Sequence, residues 1–149
     1  MNAKMIQELR KETGAKIIKC KEVLVETAWD YDKALKILKA DTKNIADKKS
    51  NREASEGVIE SYVHSSKVGT LLEVNCETDF VARNQDFKDF VRNVAIQIVS
   101  TNPENIEELL KEDYIKNPDI KVQDLLNESI AKTGENIIIK RFVRFELNN

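Results

Sequence analysis

The sequence predicts an α+β fold in which an N-terminal three-helix module precedes an antiparallel three-stranded sheet packed with helices. Apolar residues recur at helical spacing three times within residues 3 to 40, the period switches to two after Gly57, and a β-rich run over residues 135 to 146 closes the chain. The 149 residues suit one medium domain, or a small module joined to a second of about 100 residues. Leu, Ile, Val and Phe together exceed the roughly 20% below which chains stay disordered, so a core is affordable.

In the first helix Met5, Ile6 and Leu9 share a stripe, and Thr13-Gly14 supplies the stop, because glycine tolerates the left-handed conformation that ends a helix. The second carries Ile17, Cys20, Val23 and Leu24. Asp30 is placed to cap the third, where Ala34, Leu35 and Leu38 recur and Trp29 can pack back as a staple. Three helices this short have a thin core and need to dock on something. Residues 41–56 read as a helical, strongly polar connector, with Lys43, Lys48, Lys49 and Arg52 offset by Asp41, Asp47, Glu53 and Glu56. The expected division is therefore a module over 1–40, a connecting helix over 41–56 and an α+β core over 57–149.

Within the core, residues 58 to 64 and 68 to 76 alternate as two strands joined by Ser65-Ser66-Lys67. Asn84 begins a helix with Phe87, Phe90, Val91, Val94 and Ile98 on one side and Asp86 in its first turn, where the helix dipole favours an anion. Pro103 is expected to start a short helix through Leu110. A last helix over 121–133 keeps Val122, Leu125, Leu126 and Ile130 in register and ends at Gly134, after which the final strand must cross back to pair with the early hairpin.

Several function classes are hard to build from this composition. There are 24 Lys and Arg against 26 Asp and Glu, so no global field draws in nucleic acid or an anionic membrane. The single His64 lies in an alternating run, where an exposed or half-buried strand residue is expected rather than a metal ligand. The four glycines never cluster into a phosphate-cradling loop. Cys20 and Cys76 have no metal-type spacing and read as reduced, packed thiols. No stretch approaches the roughly 20 apolar residues of a membrane span and the first residues are amphipathic, so a soluble, cytoplasmic protein is expected.

The segment Glu77-Thr78-Asp79-Phe80-Val81-Ala82-Arg83 stands apart. An acid beside a large aromatic at a strand-to-helix corner fits two arrangements. Either Phe80 folds into the core while Asp79 caps the next turn, or Phe80 protrudes as an anchor for a partner's pocket with Asp79 supplying charge beside it.

Asn75-Cys76-Glu77-Thr78-Asp79-Phe80-Val81-Ala82-Arg83-Asn84 resembles the signature segment of the bacterial elongation factor Ts family. Two further blocks share the resemblance: Leu9-Arg10-Lys11-Glu12-Thr13-Gly14-Ala15 with Cys20-Lys21, and Gly134-Glu135-Asn136-Ile137 running into Arg141-Phe142-Val143-Arg144-Phe145-Glu146. The three blocks fall in the family's order and span nearly the whole chain. The resemblance implies a ubiquitin-associated-like N-terminal module and a partner, the GTPase elongation factor Tu carrying GDP, whose nucleotide the factor helps to release without covalent chemistry or a cofactor of its own. It implies an exchange wedge at Thr78, Asp79, Phe80 and Val81, with Asp79 and Phe80 reaching between helices near the Mg²⁺ and phosphate site. A second grip falls to Arg10, Ile17 and Ile18 of the module. The family's usual Gly-Met-Met-Asp is replaced here by Lys16-Ile17-Ile18-Lys19, stiffening the side chains and reversing one charge. Compared with most members the chain is shorter between Ser100 and Asp119 and holds one core half. A homodimer can supply the missing half, and the absence of Cys after Cys76 makes any such pairing through the last strand non-covalent.

Two other classes stay open on the residues alone. One is a helical adaptor that binds another protein without exchange activity. The other is an RNA binder using Arg141, Phe142, Arg144 and Phe145, which alternation disfavours by mixing each aromatic with a charge.

Overall fold

The computed structural model describes residues 2–149, as seven helices and five strands. The N-terminal part holds α1 (Asn2–Thr13), α2 (Ile17–Glu26) and α3 (Tyr31–Lys49). Leu9, Cys20, Val23, Leu24, Ala34 and Leu38 are fully buried together, with Met5, Ile6, Trp29 and Leu35 packed around them. The Asp30 carboxylate accepts the Lys33 N–H at 3.1 Å, so α3 begins at the expected cap.

The expected connecting helix over 41–56 is not a separate element. Helix α3 runs through residue 49, and a turn and irregular link follow before the first strand. The continuation rests on a narrow stripe of small residues, Thr42 and Ala46, four and eight positions beyond Leu38 and buried against the rest of the molecule. Thr42 satisfies its hydroxyl on the Leu38 carbonyl (2.8 Å), and Ala46 joins the core of the second half. One helix thus feeds both apolar clusters, and α3 lies along α7 (Val122–Thr133).

The second half is built on a sheet of β1 (Glu56–His64), β2 (Val68–Cys76) and β5 (Ile138–Glu146), all antiparallel in the order β1-β2-β5. The hairpin turns through Ser65 and Ser66, both at positive φ. Gly57 has φ +151°, and a Cβ there would lie 2.2 Å from the Val74 carbonyl oxygen, so the close β1–β2 approach admits only glycine. A bulge in the β2–β5 pairing skips Lys140. It brings Ile139 and Phe142 to the same side despite their odd spacing.

Thr70, Leu72, Val74 and Cys76 of β2 point inward. Helix α5 (Gln85–Thr101) covers them with Phe87, Phe90, Val91, Val94 and Ile98. Arg92 fastens α5 to β1, its guanidinium 4.7 Å over the Tyr62 ring and 3.2 Å from the Ser61 carbonyl. Arg144 does the same for β5, donating to the Val99 carbonyl at 3.0 Å.

Between α5 and α7 the structure departs from expectation. Pro103 does not start a helix; Asn105 caps α6 (Ile106–Lys111), accepting the Glu108 N–H at 2.9 Å. A small hairpin, β3 (Asp113–Tyr114) with β4 (Asn117–Lys121), follows. It is held by the buried Gln97 amide, which donates to Glu112 (2.9 Å) and the Asp113 carbonyl (3.1 Å) and accepts from the Ile115 N–H (3.0 Å). Among the described residues no helix is long and apolar enough to cross a membrane, and no group of His, Cys, Asp and Glu could hold a metal ion.

Candidate functional site

The chain leaves β2 at Cys76, whose thiol is buried and donates to the Thr78 carbonyl at 3.2 Å. Burial, reinforced by the nearby Glu135 carboxylate, pushes its pKa up to about 11, so the thiol keeps its proton at neutral pH. Thr78, extended at φ −125° and ψ 156°, is the N-cap of α4 (Asp79–Arg83), its hydroxyl accepting the Val81 N–H at 3.4 Å. Capping therefore falls to Thr78 and not to Asp79.

One turn of helix sorts the next residues by face. Ala82 is buried in the sheet-and-helix core and Val81 packs at its edge. Asp79, Phe80 and Arg83 face outward, with Arg83 paired to Asp79 across one turn. The Phe80 ring is 81% exposed. Leaving a Phe outside forgoes about 1.5–3 kcal/mol of burial, so the alternative in which Phe80 folds into the core does not describe this chain. At the far end Asn84 closes α4 and caps α5, accepting the Asp86 and Phe87 N–H groups at 2.8 and 3.4 Å. The fully buried Phe87 then fixes the start of α5 in the core.

The module presents a second surface. Gly14, at φ +69°, ends α1 so close to α7 that a Cβ there would sit 2.8 Å from Lys132 Cγ. Helix α2 follows with Ile17 and Ile18 in its first turn, 52% and 72% exposed. Ile17 therefore does not join Cys20, Val23 and Leu24 in the module core. Instead it lines, with Ile6 and Arg10, a groove of about 630 Å³ whose far wall is Asp86 and Lys132. The structure brings Arg10 and Ile17 together in this groove, while Ile18 is not among its lining residues. Sequence reasoning gave Asp86 no role beyond the helix dipole. Its place three residues past Arg83 shows that the groove and the exposed ring belong to adjoining stretches of chain.

The phenyl rings of the last strand form no common surface. Phe142 packs on the core, whereas Phe145 lies on the outer face of the sheet, 78% exposed.

The family described as Elongation factor TS matches residues 77–149, beginning at this corner. Over 99% of its length the chain is similar to elongation factor Ts of Alkaliphilus metalliredigens (38% identical, 89% of the relative covered) and of Thermodesulfovibrio yellowstonii (36%, 96%). It is also similar over 99% of its length to that of Carboxydothermus hydrogenoformans (40%, 89%). The matched span of 192 residues with the first of these exceeds the 149 residues here, so the relatives carry residues inside the match that have no counterpart in this chain. With identity above a third across nearly all of both partners, the chain belongs to the elongation factor Ts family and is a translation elongation factor.

Proposed function

We propose that this chain binds elongation factor Tu carrying GDP, in the cytoplasm, and speeds release of the nucleotide by inserting Phe80 beside the Mg²⁺ and phosphate site. The observation that carries this is the solvent-exposed Phe80 ring on a helix capped at both ends. Asp79 and Phe80 make the contact, Thr78 and Val81 hold the helix that presents them, and Arg10, Ile17 and Ile18 grip the partner from the module.

GDP in a GTPase is held by a phosphate loop, a helix N-terminus and a Mg²⁺ ion that demands near-ideal octahedral geometry. A wedge that moves those elements slightly weakens several interactions together, and each tenfold gain in release needs only about 1.4 kcal/mol off the barrier. Coupling is reciprocal, so bound nucleotide loosens the factor's grip in equal measure and the factor can leave and act again. No bond is made or broken, and the factor needs no cofactor of its own. Substoichiometric amounts of this chain are expected to accelerate loss of labelled GDP from elongation factor Tu. Binding without faster release would instead make it an adaptor.

A non-covalent homodimer is also part of this proposal. The outer face of the sheet carries Ile59 and Val63 of β1, Leu71 of β2 and Val143 and Phe145 of β5, all exposed and not covered by a helix. Its charges pair internally, Arg141 to Glu73 at 2.8 Å, leaving an apolar face with no net pull on nucleic acid. A sheet face of this kind packs on its own copy about a two-fold axis. Sedimentation equilibrium should find a dimer that Phe145→Asp converts to a monomer of unchanged melting temperature. A monomer at every concentration would refute the pairing.

A further inference from the structure

We propose that Glu135 is the positioning residue of the wedge: it sets the placement of Phe80 without touching the partner. This rests on the reading of Phe80 as the wedge. It gives a task to the Gly134-Glu135-Asn136 block, which the exchange function otherwise leaves unused.

A helix of five residues does not hold its own shape, since nucleation costs more than one turn of hydrogen bonds returns. The direction of the Phe80 ring must therefore come from bonds to the rest of the fold. Glu135 supplies them from the far end of the chain. Gly134 ends α7 in the left-handed conformation (φ +74°), and the half-buried Glu135 carboxylate that follows accepts three donors at the start of the wedge. They are the Glu77 N–H (3.1 Å), the Thr78 N–H (3.0 Å) and the Thr78 hydroxyl (2.7 Å). The third bond matters most. With its proton committed to Glu135, the Thr78 oxygen offers its lone pair to the Val81 N–H, and the hydroxyl rotor of the cap is fixed in the orientation α4 requires.

The clasp is closed from the other side. The Glu77 carboxylate accepts the Asn136 backbone N–H at 2.7 Å, and the Asn136 side-chain amide donates to the Arg52 carbonyl at 2.8 Å, in the link that follows α3. Phe80 is thereby referenced both to the sheet and to the exit of the module, the two bodies that carry the proposed contacts.

Glu135→Gln separates this role from general stability. The variant keeps the volume and one acceptor for the two backbone N–H groups, but its amide nitrogen donates to the Thr78 oxygen, so the Thr78 hydroxyl proton loses its acceptor and the cap loses its fixed orientation. GDP release from elongation factor Tu is measured against concentration of the intact chain, with amide hydrogen exchange of residues 79–83 in the free chain alongside. The expected result is a maximal release rate about tenfold lower, a half-saturating concentration within about threefold of the parent, and faster exchange at 79–83 with an otherwise unchanged exchange map. Thr78→Val, which deletes both the hydroxyl link to Glu135 and the cap on the Val81 N–H, is expected to shift both readouts in the same direction and at least as far. An unchanged maximal rate, or unchanged protection at 79–83, in both variants overturns the proposal. If the parent chain itself fails to speed release, the exchange reading falls, and amide protection alone then decides whether Glu135 orders α4.

Discussion

Phe80→Ala is expected to remove most of the chain's ability to release GDP from elongation factor Tu while leaving its melting temperature within about 2 °C of the parent. The ring makes no core contact and is 81% exposed, so its loss falls among surface substitutions worth about ±0.5 kcal/mol in stability. Truncating a central aromatic anchor of an interface, by contrast, typically costs about 2 kcal/mol or more. Realised in the transition state for nucleotide release, that is about thirtyfold in rate. A GDP-release assay and a thermal melt on the same preparation check the two halves. A melt that drops with the rate would show that Phe80 is structural.

The same substitution seven residues later is expected to do the reverse. Phe87 is fully buried under the sheet, among Phe90, Val91 and the inward side chains of β2. Phe87→Ala removes a ring from a close-packed core and leaves a cavity, a change that costs about 3–5 kcal/mol. Against a typical total stability of about 5–15 kcal/mol, that lowers the melting temperature by roughly 10 °C or more. Release per folded molecule should fall far less than in Phe80→Ala, because α4 keeps its cap and its clasp. Urea unfolding followed by circular dichroism gives the stability loss directly, and a midpoint unchanged from the parent would show that Phe87 does not hold the core. One chemical change at two positions thus separates the ring that faces a partner from the ring that holds the fold.

Much of this architecture is legible in the sequence because it rests on local rules. The period-two run of β2, the one-sided stripe of α5, the caps Asp30 and Asn84, and the terminators Gly14 and Gly134 are each set by neighbours a few residues away. What escapes is set over long distances or by small residues. The extension of α3 to Lys49 depends on Thr42 and Ala46 docking, which a polar composition hides. Helix α4 is too short to show a period, and β3 with two residues hangs on the buried Gln97 sixteen positions upstream. The bulge at Lys140 shifts the face of Phe142, a shift that simple alternation does not foresee.

The site divides in the same way. An acid next to an aromatic at residues 79 and 80 marks the corner, but local sequence does not decide which of them turns outward. That is settled by Ala82 and Val81, which take the inward side of a single turn. Glu135 reaches Glu77 and Thr78 across 58 and 57 positions of sequence, a partnership no local rule announces.

The most direct test of the wedge places 4-fluorophenylalanine at position 80 of the intact chain and follows its ¹⁹F resonance as elongation factor Tu·GDP is added. In the free chain the signal should move between H₂O and D₂O, as an exposed ring does. In the saturated complex this solvent shift should disappear, because the ring is enclosed between partner helices. A ring that remains as wet in the complex as in the free chain would contradict the wedge.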